Sequence, residues 1–194
     1  TTDDVPFNIR VNNQKAGRIS VNTGGAPKDQ TFLGYMAGYT ATANSLTAIG
    51  TYALRYPTGV ENTAVGVNAL YGNAGGSTAY ANTASGFNAL ANVTTAYQNT
   101  AMGHYAMGSN TTGNLNSAYG AGAMDAFQTG NNNTAIGFWA MRGGFPASGN
   151  ENVAAGYRAA YSITSGSNNV AIGAHAMFDN TTGNYNTGYG YEAL

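Results

Sequence analysis

The chain of 194 residues contains no cysteine, so neither a disulfide framework nor a thiolate metal site is open to it, and its redox compartment stays unassigned. Charge is scarce as well: seven basic and eight acidic residues leave a net charge of −1. No Lys/Arg cluster is present to neutralise a nucleic-acid backbone, and no polybasic stretch to hold an anionic membrane surface. No apolar run approaches the ~18 residues of a membrane-spanning helix, so no membrane insertion is expected. The opening Thr1-Thr2-Asp3-Asp4 lacks the pattern of a signal peptide.

What the chain has is material for burial and for turns. Apolar residues make up 43%, with 14 Tyr and 7 Phe, which separates it from a disordered polar tract. Gly at 28 and Asn at 25 both exceed ordinary usage and point to turns at regular intervals.

Those intervals come from a repeat, Asn-Thr-Ala-x-Gly-x-x-Ala-Leu/Met. Eight clear copies begin at Asn62, Asn82, Asn99, Asn116, Asn133, Asn152, Asn169 and Asn186, preceded by two weaker ones at Gln30 and Leu46. Their glycines, Gly34, Gly50, Gly66, Gly86, Gly103, Gly120, Gly137, Gly156, Gly173 and Gly190, lie 16 to 20 residues apart. That period is too short for helix-pair repeats, and Gly and Asn recur too often for a helix interior. It predicts an all-β, narrow parallel β-solenoid with 16–20-residue coils, each carrying two short strands and two turns.

The motif columns say what such a coil demands. Glycine at the fifth position in every copy implies a positive φ or a backbone approach that a Cβ would block. Alanine fills position eight in every copy and position three in eight of ten, which implies a thin interior. Leu or Met at position nine forms an apolar ladder, and Asn at position one predicts an amide ladder between coils. Larger residues at positions four, six and seven (Tyr52, Phe87, Tyr105, Phe138, Trp139, Tyr157, Tyr189) have no place in an alanine-lined interior. They are expected to be covered by another chain, in an obligate oligomer.

Residues 1–29 lie outside the array, and 30–194 form one continuous ten-copy solenoid. Val5–Val11 alternates in part and is expected to pair with Arg18–Val21 across Asn12–Gly17, as a hairpin capping the first coil. Two connections are longer than the rest, Tyr71–Ala81 and Arg142–Glu151. Both follow position nine and should project from one edge of the rod. Tyr71, Tyr80, Arg142 and Phe145 are the candidate ligand-contact residues, rings and an Arg suited to a cell-surface glycan.

Enzyme chemistry finds no footing. His104 and His175 occupy different columns of different coils, and the carboxylates are scattered, without the paired acid and nucleophile of a glycosidase. No catalytic, metal-binding or cofactor-binding residue is assigned. The rank Thr31, Thr47, Thr63, Thr83, Thr100 at position two allows an ice-binding alternative, weakened because position four beside it runs from Ser85 and Ala155 to Tyr119 and Tyr189. A motif that ends at Leu194 also allows a subunit that polymerises head to tail.

The segment Asn62-Thr63-Ala64-Val65-Gly66-Val67-Asn68-Ala69-Leu70 and its copies resemble the NTAxGxxAL repeats of phage tail-fibre shafts and bacterial surface repeat proteins, and more loosely the heads of trimeric autotransporter adhesins. Pro6–Ile19 and Thr31–Gly38 are similar to the lead-in of such arrays. The resemblance implies a left-handed β-roll assembled as a parallel homotrimer, extracellular on a cell surface or virion, that works as a structural shaft or adhesive segment in host or surface attachment.

Overall fold

A computed structural model describes residues 7–11, 13–20 and 29–194. Among them there is no helix; twelve strands form one sheet whose spatial order is the chain order. The first two, β1 (Phe7–Val11) and β2 (Gln14–Ser20), make an antiparallel hairpin, and β2 runs antiparallel to β3 (Gln30–Leu33). The hairpin thus lies along the edge of the first coil, with a tighter connection than expected because β2 begins at Gln14. Val5, Pro6, Asn12 and Val21 of the expected hairpin lie outside the described residues.

From β3 onward every pairing is parallel, through β4 (Leu46–Ile49), β5 (Thr63–Val65), β6 (Thr83–Ser85), β7 (Thr100–Met102), β8 (Ser117–Tyr119), β9 (Thr134–Ile136), β10 (Val153–Ala155), β11 (Val170–Ile172) and β12 (Thr187–Tyr189). Position three pairs with position three throughout, as in Ala101↔Ala118 and Ala118↔Ala135. The chain is a β-solenoid of about nine turns.

Only one of the two expected strands per coil forms. The return segment pairs through isolated parallel bridges, Pro57↔Ser77, Tyr80↔Tyr97 and Phe127↔Ala147. The cause is local. In a regular coil three non-glycine residues take left-handed φ, as at Gln98 (54°), Tyr105 (55°) and Met107 (52°), so the backbone turns too often to run straight. Among the described residues no Val, Ile or Thr stands at a positive-φ site, since a β-branched side chain is most strained there.

Both reasons offered for the glycine column hold. Gly103 has φ +142°, and a Cβ there would lie 2.5 Å from the Gly120 carbonyl oxygen of the next coil. A second glycine column, Gly113, Gly130, Gly149 and Gly166, has no left-handed φ; a Cβ on each would run into the carbonyl oxygen of the next glycine in that column.

The interior is slender, with Ala64, Ala84, Ala101 and Ala118 facing Leu70, Leu90, Met107 and Met124, all fully buried. The return side adds Val93, Phe127 and Ile163, a contribution the nine-residue motif does not contain. Buried amides run through it. Asn99 Nδ2 donates to Asn82 Oδ1 (3.1 Å) and to the Gly113 carbonyl (2.8 Å), while Asn99 Oδ1 accepts from the backbone N and Nδ2 of Asn116 (2.9 and 3.1 Å). The amides of this column from Asn82 to Asn169 are satisfied at both oxygen and nitrogen, which is what burial requires of them.

Candidate functional site

Two surfaces of the rod stand out. On the sheet, position three points inward and positions two and four outward, so the Thr rank runs beside Leu33, Ile49, Val65, Met102, Tyr119, Ile136 and Ile172. These position-four side chains are exposed, Met102 by 44% and Ile136 by 49%. Two residues further along, position six continues the apolar surface with Tyr35, Val67, Phe87, Phe138 and Tyr157, all exposed. Phe138 stacks on Tyr157 (centroids 5.9 Å apart) and Phe87 on His104 (5.4 Å), so the rings form ladders along the axis. At ~4.8 Å per coil this stripe runs for roughly 45 Å. A contiguous exposed apolar surface of that length marks an interaction face.

At position seven Tyr105 is 39% exposed, but two of the large residues expected to need another chain find cover in their own. Tyr52 and Trp139 are half-buried within their own chain. The Arg55 guanidinium lies 4.5 Å over Tyr52, 5.0 Å over Tyr56 and 5.6 Å over Tyr71, and donates to Tyr71 Oη (3.2 Å). Arg158 lies 4.7 Å over Trp139 and 5.5 Å over Tyr161, whose Oη accepts from Arg142 Nη1 (3.0 Å). Rings and guanidinium groups one coil apart supply the cover, by cation–π attraction and stacking.

These two aromatic–arginine ridges stand either side of a hollow. In the intervening coils the same columns carry Asn68, Asn88, Ala91, Gly108 and Gly122, too small to fill the space. The result is an open groove of about 570 Å³, lined by Tyr52, Asn68, Tyr71, Asn88, Asn92, Tyr105, Ser109 and Asp125. It continues toward Trp139 and Arg142 past Tyr105 and Asp125, and on the other side into a hollow of about 530 Å³ reaching from Asn73 to Phe145.

The two long connections therefore flank one groove. Tyr71 and Phe145 lie at opposite ends of that second hollow, and Arg142 borders the part beneath Trp139. Tyr80 does not join them; it stacks on Tyr97 (5.0 Å, 8° between planes), two residues before the buried amide column. Asn68, Asn88 and Asp125 are among the groove residues that motif reading missed, and Tyr105 stood there only as a large side chain in need of cover. Reading down the seventh and tenth columns would have found them, because large side chains give way to small ones there and then return.

Asp125 is the groove's central charged group. Burial pushes its carboxyl above the usual carboxylate range, against the opposing pull of Arg142 and His104. The eight glycines Gly66, Gly86, Gly103, Gly120, Gly137, Gly156, Gly173 and Gly190 lie in the sheet ladder and are structural in position. Among the described residues no cluster of His, Asp and Glu has the grouping that holds a metal ion, and no helix is long and apolar enough to cross a membrane. Comparison with family models, curated proteins and solved structures yields no match, so the functional reading rests on these two surfaces and on the motif itself.

Proposed function

We propose that the chain is a shaft and adhesive segment of an extracellular fibre, on a cell surface or virion, assembled as a parallel homotrimer of left-handed coils through its apolar sheet face. The observation that carries this is the exposed position-four column with its position-six neighbours. Three copies in parallel would bring equal rungs to one axis, and Met102, Tyr119 and Ile136 would each meet their own kind. The motif's resemblance to tail-fibre and surface-protein repeats supports the same assembly. Attachment to surface glycans then falls to the groove, whose part from Tyr52 to Asp125 is lined by other columns than that face, while Phe138 and His104 border its Trp139 end. The ice-binding alternative draws less support, because the Thr rank shares its face with side chains as unlike as Ser85 and Tyr119.

The test is a double substitution, Met102→Glu with Ile136→Glu. Both side chains point to solvent, so a single chain should keep its β-type circular dichroism. The variant is expected to be a folded monomer where the parent is an oligomer. An unchanged oligomer would overturn the assignment of this face.

A further inference from the structure

The groove's chemistry is more specific than a general adhesive surface. Tyr105 projects from its centre, 39% exposed, and Trp139 borders one end, its indole lying over Gly122, where a Cβ would overlap ring atoms. Between them and Tyr52, the side-chain amides of Asn68 and Asn88 make no hydrogen bond within the chain, and Asp125 supplies carboxylate acceptors. Flat rings alternating with free amides and one carboxylate suit a ligand with C–H faces and many hydroxyls. The sequence neighbours of Asp125 add no second negative charge, and Arg142 and His104 act on it from the adjoining coils, so no net charge selects an ionic ligand.

A peptide fits less well. Adding a strand needs unpaired backbone at a sheet edge, and here the backbone is already paired from coil to coil: Leu90 N donates to Ala106 O (3.1 Å), Met107 N to Ala123 O (2.9 Å) and Ser109 N to Asp125 O (3.0 Å). Apart from its tyrosine rings, the groove's lining offers a hydrophobic anchor only Ala91 and Gly108. Nucleic acid would meet the Asp125 carboxylate, and of the ridge arginines only Arg142 lines the hollow, too few cations to hold a phosphate backbone.

We propose that this groove binds a neutral oligosaccharide laid along the solenoid axis, with Tyr105 as the stacking platform, Trp139 as the wall at one end, and Asn68, Asn88 and Asp125 as partners for its hydroxyls. The site rests on the adhesive part of the function proposed above and is contained within one chain. Successive rings stand at whole numbers of coil steps, Tyr105 and Trp139 two apart, and one step of ~4.8 Å is close to the length of a pyranose unit. A linear chain of sugars therefore keeps register with the rungs.

Trp139 is the only tryptophan of the chain, which makes its fluorescence a local reporter. The intact chain is titrated with maltohexaose, cellohexaose, chitohexaose and mannohexaose, with a polyuronic hexasaccharide as the anionic comparison. A saturable shift in Trp139 emission is expected with at least one neutral sugar. Tyr105→Ala should weaken it about tenfold, while Tyr105→Phe, which keeps the ring, and Tyr185→Ala, outside the groove, should retain it. No response to any neutral sugar at millimolar concentration, a response only to the anionic one, or a response untouched by Tyr105→Ala would each overturn the site. Sedimentation of the same samples separates the two readings. An intact trimer that ignores sugars refutes the groove alone, and a sugar-binding monomer refutes the trimer alone.

Discussion

Asn116 and Asn99 share a hydrogen bond of 3.1 Å, Nδ2 to Oδ1, and the backbone N of Asn116 donates to the same oxygen at 2.9 Å. Asn116 Oδ1 repeats the arrangement with Asn133, and Asn116 Nδ2 also reaches the Gly130 carbonyl at 2.7 Å. Asn116→Leu therefore strands several buried polar groups at once: Asn99 Oδ1 loses a donor, the Gly130 carbonyl loses its side-chain partner, and the Asn133 amide loses its acceptor. At roughly 1–3 kcal/mol for each unsatisfied group, a loss of about 3 kcal/mol or more is expected in denaturant unfolding. A change under 1 kcal/mol would mean that the ladder does not hold the coils.

The glycine column offers a comparison within one motif. Gly103→Val meets both a φ of +142° and the Gly120 carbonyl, and should cost roughly 3 kcal/mol or more or abolish folding. Gly190→Ala has φ +119° but no atom within 4 Å of the added Cβ, so only backbone strain remains and the cost should be smaller. His175→Ala, which removes tilted ring contacts with Tyr157 (5.3 Å) and Phe178 (5.2 Å), should cost about 1 kcal/mol. Thermal melts of the three variants should rank in that order, and equal melting of Gly103→Val and His175→Ala would refute the close approach.

The columns that vary least were legible in the sequence because each encodes one physical demand: Gly103 a backbone contact, Ala106 a thin interior, Asn99 an amide rung. The second glycine column read only as turn residues, since Gly113 lies among Thr111, Thr112 and Asn114, where turn propensity already explains a glycine. An outer ladder hid for a similar reason. The Asn114 amide N donates to Asn131 Oδ1 and the Asn131 amide N to Asn150 Oδ1, but Ser167 takes the next rung, so no single residue type marks the column. The groove was the least legible feature. It exists because Ala91 and Gly108 stand where Tyr71 and Arg142 stand in other coils, and absent side chains make no motif.

Asn110 is fully buried on the return side and neither its Oδ1 nor its Nδ2 finds a partner. The same column holds Val93 and Ile163 in other coils, both fully buried. Asn110→Val should therefore stabilise the chain by about 1 kcal/mol, by removing an unsatisfied amide from the interior. Lower stability of the variant in urea or guanidinium titrations would show that the amide has a role there.

Asp125 sets a pH dependence whose sign follows from its raised pKa. The folded state binds this proton more tightly than the unfolded chain does, so the ionised carboxylate opposes folding above the folded pKa. That penalty fades as pH falls through the folded pKa and is gone below the ordinary carboxylate value. Asp125→Asn is expected to raise the melting temperature at neutral pH and to leave it unchanged at strongly acidic pH. The effect should be modest, because the side chain is only half-buried. A variant that melts lower than the parent at neutral pH would show that the pull of Arg142 and His104 outweighs burial.

Assembly through the apolar sheet face is the claim on which the fibre reading stands, and its direct test is the mass of the native chain in solution. Sedimentation equilibrium across a wide concentration range should give a single species of about 59 kDa, three times the 19.8 kDa of one chain, that does not change on dilution. A stable species of 19.8 kDa, or a mass that climbs continuously with concentration as a head-to-tail filament would, contradicts it.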